Sequence, residues 1–326
     1  MEGHGLAHAD TGDERAALAD AVAAFRDGGR PHVAVVGAPF AGRAALLDHA
    51  VDLLGDAARL AVSSHVDEPM GWPEAPAVVV DDCQYLYTRA IGGYEPVEAF
   101  ADTLVAADRL FVTGWNRHAW DYLAAVRDVD DLFSVVVETP TLSSAETEAL
   151  VTDVHDGSLP AFEANDSGPA GEADGPQLAL PGGRSIPLPE VSLARARDAL
   201  GDDTPDEKRT RVFETLAARS NGNPGVARAL WTAAVEDGAV TPAAIRDAVP
   251  EVALDDEDGF ALVTVLANER VSTDRLRAVV GDRRYRRSLR RLRQQGLVTV
   301  EGDTVSIEPT AVPAATDFCS RRRLLW

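Results

Sequence analysis

Val33-Ala34-Val35-Val36-Gly37-Ala38-Pro39-Phe40-Ala41-Gly42-Arg43-Ala44 is the stretch that decides how this chain is read. An apolar, β-branched run ends at Gly37, Gly42 follows after a short turn, and a helical pattern then covers about residues 41–54. A run of this kind without polar alternation suits a strand buried on both faces. Further apolar runs at 60–63, 77–80, 110–113 and 134–138 alternate with helical patterns at 13–27, 95–107 and 119–127. Such alternation predicts an α/β domain on a parallel sheet. Gly28-Gly29 stops the first helix, and Pro69, Pro73 and Pro76 interrupt the link between the second and third strands.

The 326 residues are 45% hydrophobic, enough for two or three domains with sizeable cores and unlike a disordered chain. No apolar run approaches the ~18 residues of a membrane span, and residues 1–13 lack the basic-then-apolar pattern of a signal sequence. Cys83 and Cys319 are the only cysteines, too distant for a disulfide framework or a metal site, so a cytoplasmic location is expected. The histidines make no ligand pair, and His4, His8 and His32 read as surface residues. Net charge is −22, spread along the chain, and Lys208 is the only lysine. An acidic, arginine-based composition is what a salt-loaded cytoplasm selects; the alternative is an acidic binding surface.

Beyond the sheet, Ser143 and Glu146 form a capping box that opens a helix. Residues 155–189 turn rich in Gly, Pro, Asp and Ser and read as a partly disordered insertion. Helical patterns resume at 191–200, at 206–219 and after Asn221-Gly222-Asn223-Pro224. Near the end, helical patterns at 260–267, 273–280 and 283–295 precede a hairpin, 297–300 with 304–307, about Gly302-Asp303. The expected organisation is an N-terminal helix (1–30), the α/β domain (31–140), a helical lid (141–250), a three-helix-and-hairpin module (251–310) and a basic tail (311–326).

Gly37 to Ala44 has the spacing and the strand-to-helix context of a Walker A loop, in which backbone amides and a helix N-terminus hold phosphate. Val78-Val79-Val80-Asp81-Asp82 resembles a Walker B strand, Leu110 to Asn116 a sensor-1 strand, and Asn221 to Ala227 a lid turn. In this order the four segments resemble the archaeal AAA+/STAND type of P-loop ATPase over about residues 31–310, ending in a winged helix. The resemblance implies a P-loop NTPase fold: a parallel five-stranded sheet, a helical lid and a C-terminal winged-helix domain. It implies ATP on Gly37, Ala38, Pro39, Phe40, Ala41, Gly42, Arg43 and Ala44, with Thr113 and Pro224 close by. It also implies Mg2+ on Asp81 through water, with Asp82 and Asn116 at the attacking water. Arg117 and Arg127 are arginine-finger positions on the same reading, or surface arginines.

Three features depart from the pattern. Arg43 replaces the Walker lysine, and Ala44 replaces the magnesium-binding hydroxyl. The link after the second strand is too short for the usual helix, and the 155–189 insertion is unlike a compact lid. Weak or magnesium-poor nucleotide binding and slow or absent hydrolysis are expected; otherwise the turn keeps only its inherited shape.

Seven arginines, Arg283, Arg284, Arg286, Arg287, Arg290, Arg291 and Arg293, crowd the third helix of the module, with Tyr285, Leu289 and Leu292 on its inward face. In a winged helix this element enters the major groove of DNA. Two functions follow: a degenerate, ATP-binding regulator that contacts DNA, or a non-catalytic scaffold whose winged helix docks a protein partner or its own NTPase-like domain.

Overall fold

The computed structural model describes residues 9–155, 159–164, 177–180, 184–187 and 204–325. In chain order, α1 (Gly12–Arg26), β1 (Val33–Gly37), α2 (Arg43–Leu54), β2 (Ala58–Ala61) and β3 (Ala77–Asp81) come first. Then follow α3 (Glu95–Ala106), β4 (Leu110–Asn116), α4 (Arg117–Arg127) and β5 (Val135–Glu138). All five strands are parallel, in the order β2-β3-β4-β1-β5. Every residue of β1 and of β4 is buried, which is why those runs carry no polar alternation. The edge strand β2 is half exposed, carries Arg59 and begins earlier than its apolar run suggested. Residues 62–76 contain no helix; Trp72 closes that gap against Phe100 and Phe111, with ring centroids 4.8 and 5.8 Å away.

Beyond the sheet lies α5 (Ser144–Val154), whose capping box forms as expected, then the short strands β6 (Ala161–Phe162), β7 (Gln177–Leu180) and β8 (Arg184–Pro187). The rest of the 155–189 insertion and the helix expected at 191–200 lie outside the described residues, as do His4 and His8. The chain resumes with α6 (Pro205–Ser220), α7 (Pro224–Ala234), β9 (Ala239–Val240) and α8 (Pro242–Asp247). Asn221 and Gly222 take positive φ between α6 and α7. A Cβ on Gly222 would sit 2.7 Å from the Leu142 carbonyl oxygen, so this tight passage requires glycine.

The last module comprises α9 (Asp256–Asn268), β10 (Arg270–Ser272), α10 (Thr273–Val280), α11 (Asp282–Gln294), β11 (Val298–Glu301) and β12 (Thr304–Ile307). Its sheet is three-stranded and antiparallel, in the order β10-β12-β11, one strand more than the hairpin read from sequence. Two expectations need correction. The basic tail at 311–326 contains α12 (Val312–Arg321), with Ala315, Phe318 and Cys319 buried, because an apolar stripe at helical spacing packs it inward. His32 is not on the surface: it is buried, its Nε2 donates to the Leu104 carbonyl (2.9 Å), and its Nδ1 accepts from the Phe111 amide (3.3 Å).

Apolar packing divides unevenly. One cluster fills each face of the parallel sheet, and a third runs without interruption from α5 through α6 and α7 into α9 and α12. Helices α5 to α8 and the last module therefore share a core. Phe40 packs on that core from the loop after β1, and polar contacts join the unit to the sheet beside it: His65 Nε2 meets Asn268 Oδ1 at 3.0 Å, and Arg275 pairs with Asp67. The Thr316 hydroxyl lies 3.5 Å from His118 Nε2. No helix among the described residues is long and apolar enough to cross a membrane.

His118 makes the fold acid-sensitive. It is 8% exposed, and burial, assisted by Arg117 and Arg89, pushes its imidazole down to about 4. The unfolded chain takes up that proton near the usual value of 6.5, and the folded chain does not. Stability is thus fully present above about pH 6.5 and is lost as pH falls toward 4, at up to about 1.4 kcal/mol per unit. Urea midpoints across this window should fall for the wild type and fall less steeply for His118→Gln; parallel profiles would remove His118 as the cause.

Candidate functional site

The strand-to-helix turn after β1 takes the shape its glycines allow. Gly42 has φ +82° immediately before α2, and Phe40 takes φ +64°. A Cβ on Gly37 would lie 2.7 Å from Thr139, so β1 can only end here on glycine. The first turn of α2 leaves amides without intrahelical acceptors, the ordinary basis of an anion site. A cavity of about 370 Å³ opens beside it, lined by Ala38, Phe40, Ala41, Gly42, Arg43 and Ala44, by Asp81 and Asp82, and by Gly225, Arg228, Glu269, Arg270 and Ser306.

Arg43 is the centre of this site, and it is 8% exposed. Its Nη2 donates to Asp82 Oδ1 at 2.9 Å, its Nη1 to Glu269 Oε1 at 3.1 Å and its Nε to Asp81 Oδ1 at 3.4 Å. Burial alone would lower the guanidinium pKa; Glu269, Asp81 and Asp82 outweigh it and hold Arg43 above its usual range. Burial also raises the carboxyl pKa of Asp82, against the pull of Arg43. Asp82 takes φ +58°, accepts from Gln84 Nε2 at 2.9 Å and faces Arg270 at 3.5 Å. Gly114 makes room for the pair, since a Cβ there would fall 2.6 Å from Asp81 Oδ1 and 3.4 Å from the Arg43 Cδ.

The other expected residues divide. Asn116 is buried near the cluster, but its side chain caps α4 at the His118 amide (2.9 Å) and donates to the Leu266 carbonyl (3.1 Å) and Glu269 Oε1 (3.3 Å). Thr113 lies away from the cavity: its hydroxyl donates to the Val33 carbonyl at 3.2 Å and accepts from the Trp115 indole at 2.7 Å. Pro224 starts α7, yet its neighbours hold the turn. Asn223 Nδ2 donates to the Pro39 carbonyl (2.8 Å), and the Gly225 amide donates to the Phe40 carbonyl (3.1 Å). Arg117 pairs with Glu138, and Arg127 with Glu98.

Sequence reasoning missed Glu269 and Arg270 as site residues, while Asn223 and Gly225 lie within the turn read from Asn221 to Ala227. Glu269 lies 226 positions from its partner Arg43 and sits in a helix-to-strand turn with no recognisable motif. The donor set does not fit a metal–nucleotide in this arrangement. Asp81 Oδ1 is taken by Arg43 and by the Asp82 amide (2.8 Å), and Ala44 offers no hydroxyl. Among the described residues, no group of three or more His, Cys, Asp or Glu is placed to hold a metal ion.

The seven arginines of α11 also separate. Arg284 pairs with Glu257 and Arg287 with Asp255, while Arg291 Nη1 reaches Asp255 (2.8 Å) and the buried Asp258 (2.6 Å). Ser288, buried beside Tyr285 and Leu292, donates to Asp258 at 2.6 Å. These contacts fasten α11 to the start of α9, so three of the arginines do not face outward alone. Arg283, Arg286, Arg290 and Arg293 are exposed and lie on one helical stripe, with no ion pair among the described residues. Three of them, with Tyr285, Leu289 and Gln294, line a shallow groove of about 540 Å³.

No protein-family model and no curated protein matches this sequence. Among solved structures, the chain is similar to the RuvB Holliday junction branch migration motor of Thermotoga maritima, at 13% identity and TM-score 0.41, over 95% of this chain and 94% of that one. The ORC2 protein of Aeropyrum pernix overlaps at 12% identity and TM-score 0.40, over 96% and 94% of the two chains. A Walker-type ATPase of Pyrococcus abyssi overlaps at 11% and 0.41, over 94% and 95%. At these values the overlaps add nothing to what the strand order itself establishes.

Removing the guanidinium would leave three carboxylates facing one another in a buried site. Arg43→Ala is expected to lose roughly 3–5 kcal/mol of unfolding free energy, and Arg43→Lys a smaller part of it, since an ammonium cannot fork to three acceptors. Urea denaturation measures both; a loss below about 1 kcal/mol for Arg43→Ala would show that the cluster carries little of the fold.

Proposed function

We propose that this chain is a regulatory protein of the P-loop AAA+ type that does not turn over ATP efficiently and that contacts DNA through its C-terminal module, read as a winged helix. The observation that carries the first half is Arg43: the residue in the Walker lysine position spends its three donor edges on Asp81, Asp82 and Glu269. A phosphate-binding cation must present donors to the ligand, yet every Arg43 nitrogen already donates to a carboxylate, Asp81 Oδ1 accepts from Arg43 and the Asp82 amide, and Ala44 supplies no hydroxyl for magnesium. The glycine turn, the start of α2 and the two carboxylates after β3 support the P-loop reading, with ATP as a weak ligand.

DNA contact is supported by the exposed stripe on α11, which has no ion pair among the described residues. Arg283, Arg286, Arg290 and Arg293 stand out against a net charge of −22, where an arginine cluster is not background. The second reading, a scaffold in which the last module docks on its own NTPase-like domain, is favoured by one feature, the polar seam through Asn268, Glu269, Arg270 and Arg275. The acidic, almost lysine-free composition supports a salt-rich cytoplasmic setting, so binding is best measured in high potassium chloride.

Titration calorimetry with ATP and ADP, with and without Mg2+, tests the nucleotide half. Little or no magnesium-dependent heat is expected; tight Mg2+-dependent binding abolished by Asp81→Ala would overturn it. For the DNA half, fluorescence anisotropy of a labelled duplex across a salt series is decisive. Changing Arg286, Arg290 and Arg293 together to Ala should weaken binding for all sequences and flatten the log–log salt dependence by roughly one unit per arginine. Unchanged binding in the triple variant would move the DNA contact elsewhere.

A further inference from the structure

We propose that Glu269 masks a latent polyphosphate site: its carboxylate takes the donor edge of Arg43 that an anionic ligand needs, and a di- or triphosphate competes with it. The inference rests on the P-loop reading of the turn after β1. Asp81 ends β3, Asp82 follows it, and Arg43 opens α2, all within the α/β unit, whereas Glu269 comes from the last module. Glu269 is therefore the separable member of the cluster.

Three further observations agree. Glu269 takes φ +63° where α9 ends, its carbonyl accepts from the Ile307 amide at 2.9 Å, and its carboxylate accepts from Arg43 and Asn116. The cavity beside the cluster, about 370 Å³, is of the size that binds small ligands, and Arg228 and Arg270 line it as well as the loop. Charge gives the masking its sign. The charged groups lining the cavity balance, Arg43, Arg228 and Arg270 against Asp81, Asp82 and Glu269. Neutralising Glu269 leaves the cavity one charge positive toward a polyanion and weakens the hold on Nη1 of Arg43 beside the amides of α2. Linkage requires the converse: a ligand that displaces Glu269 loosens the contacts next to it, His65 with Asn268 and Arg270 with Asp82.

The test uses the full chain and inorganic tripolyphosphate without metal, titrated into wild type, Glu269→Gln and the double variant Glu269→Gln/Arg43→Ala. Glu269→Gln keeps the side chain's size and an oxygen acceptor for Asn116. It should bind tripolyphosphate on the order of tenfold more tightly than wild type, and the double variant should lose the gain. Equal affinity in wild type and Glu269→Gln, or a gain that survives in the double variant, overturns the proposal. Amide hydrogen exchange on the wild type is the second measurement and needs no variant to fold. Exchange across β10 should rise with tripolyphosphate, and a flat response at saturating ligand counts against the mask. Failure here is distinct from failure of the P-loop reading, since Mg2+-dependent wild-type binding removed by Asp81→Ala would overturn only the claim of an inactive nucleotide site.

Discussion

A guanidinium buried at the start of α2 is the constraint around which this structure is arranged. An arginine 8% exposed cannot lose its charge, so it must be surrounded by acceptors or be expelled to water. Three carboxylates from β3, the turn after it and the last module meet that demand. Their convergence dictates other choices. Gly114 lacks a side chain because Asp81 and Arg43 fill the space, and Asp82 accepts positive φ to aim its carboxylate inward. Gly225 is bare because a Cβ would fall 2.5 Å from that of Phe40, which brings α7 onto the loop.

The same cluster joins two units held together in different ways. Helices α5 to α8 and the last module share a continuous apolar core, whose burial favours them as one body. Apart from Phe40, which packs on that core, the contacts from that body to the sheet unit include ion pairs and hydrogen bonds: Arg43 with Glu269, Arg270 with Asp82, His65 with Asn268 and Asn116 with the Leu266 carbonyl. Polar seams are the ones a competing ligand can exchange, because a hydrogen bond broken within the protein is remade with solvent or ligand. An apolar seam offers no such exchange. Arg43 therefore couples the loop to the relative stability of the seam, whichever anion it faces.

Much of the sheet was legible in the sequence because its central strands are buried on both faces and show it as unbroken β-branched runs. β1 and β3 start where those runs start, while β4 continues past its run to Asn116, since Gly114, Trp115 and Asn116 keep pairing with β1. Edge strand β2 was misplaced because a half-exposed strand containing Arg59 has no such signature. Within the site, the glycine turn and the Asp81-Asp82 pair were readable from local spacing. Thr113 was not: its position in the strand fits a sensor, but its hydroxyl is spent on Val33 and Trp115, and only packing decides that. Glu269 was beyond reach, since a lone acid in a turn gains its meaning from a partner 226 residues away. The helix in the C-terminal segment was readable in principle, as Val312, Ala315, Phe318 and Cys319 already mark one face.

Salt separates the two charged features of this molecule by physical kind. The stripe of Arg283, Arg286, Arg290 and Arg293 is exposed, so its attraction to a polyanion is screened over ~3 Å at molar salt and fades with concentration. The Arg43 cluster is shielded from that screening by burial, and its ion pairs persist at the same ionic strength. Three further arginines of α11 lie between these extremes; Arg291 is anchored on the buried Asp258, whereas Arg284 and Arg287 rest on partly exposed acids. An acidic chain in strong salt thus keeps its internal arginine contacts while its external ones weaken. On the proposed reading, DNA contact through α11 would then need shape and base-edge hydrogen bonds as well as charge, and Leu289 and Gln294 line the groove beside three of its arginines.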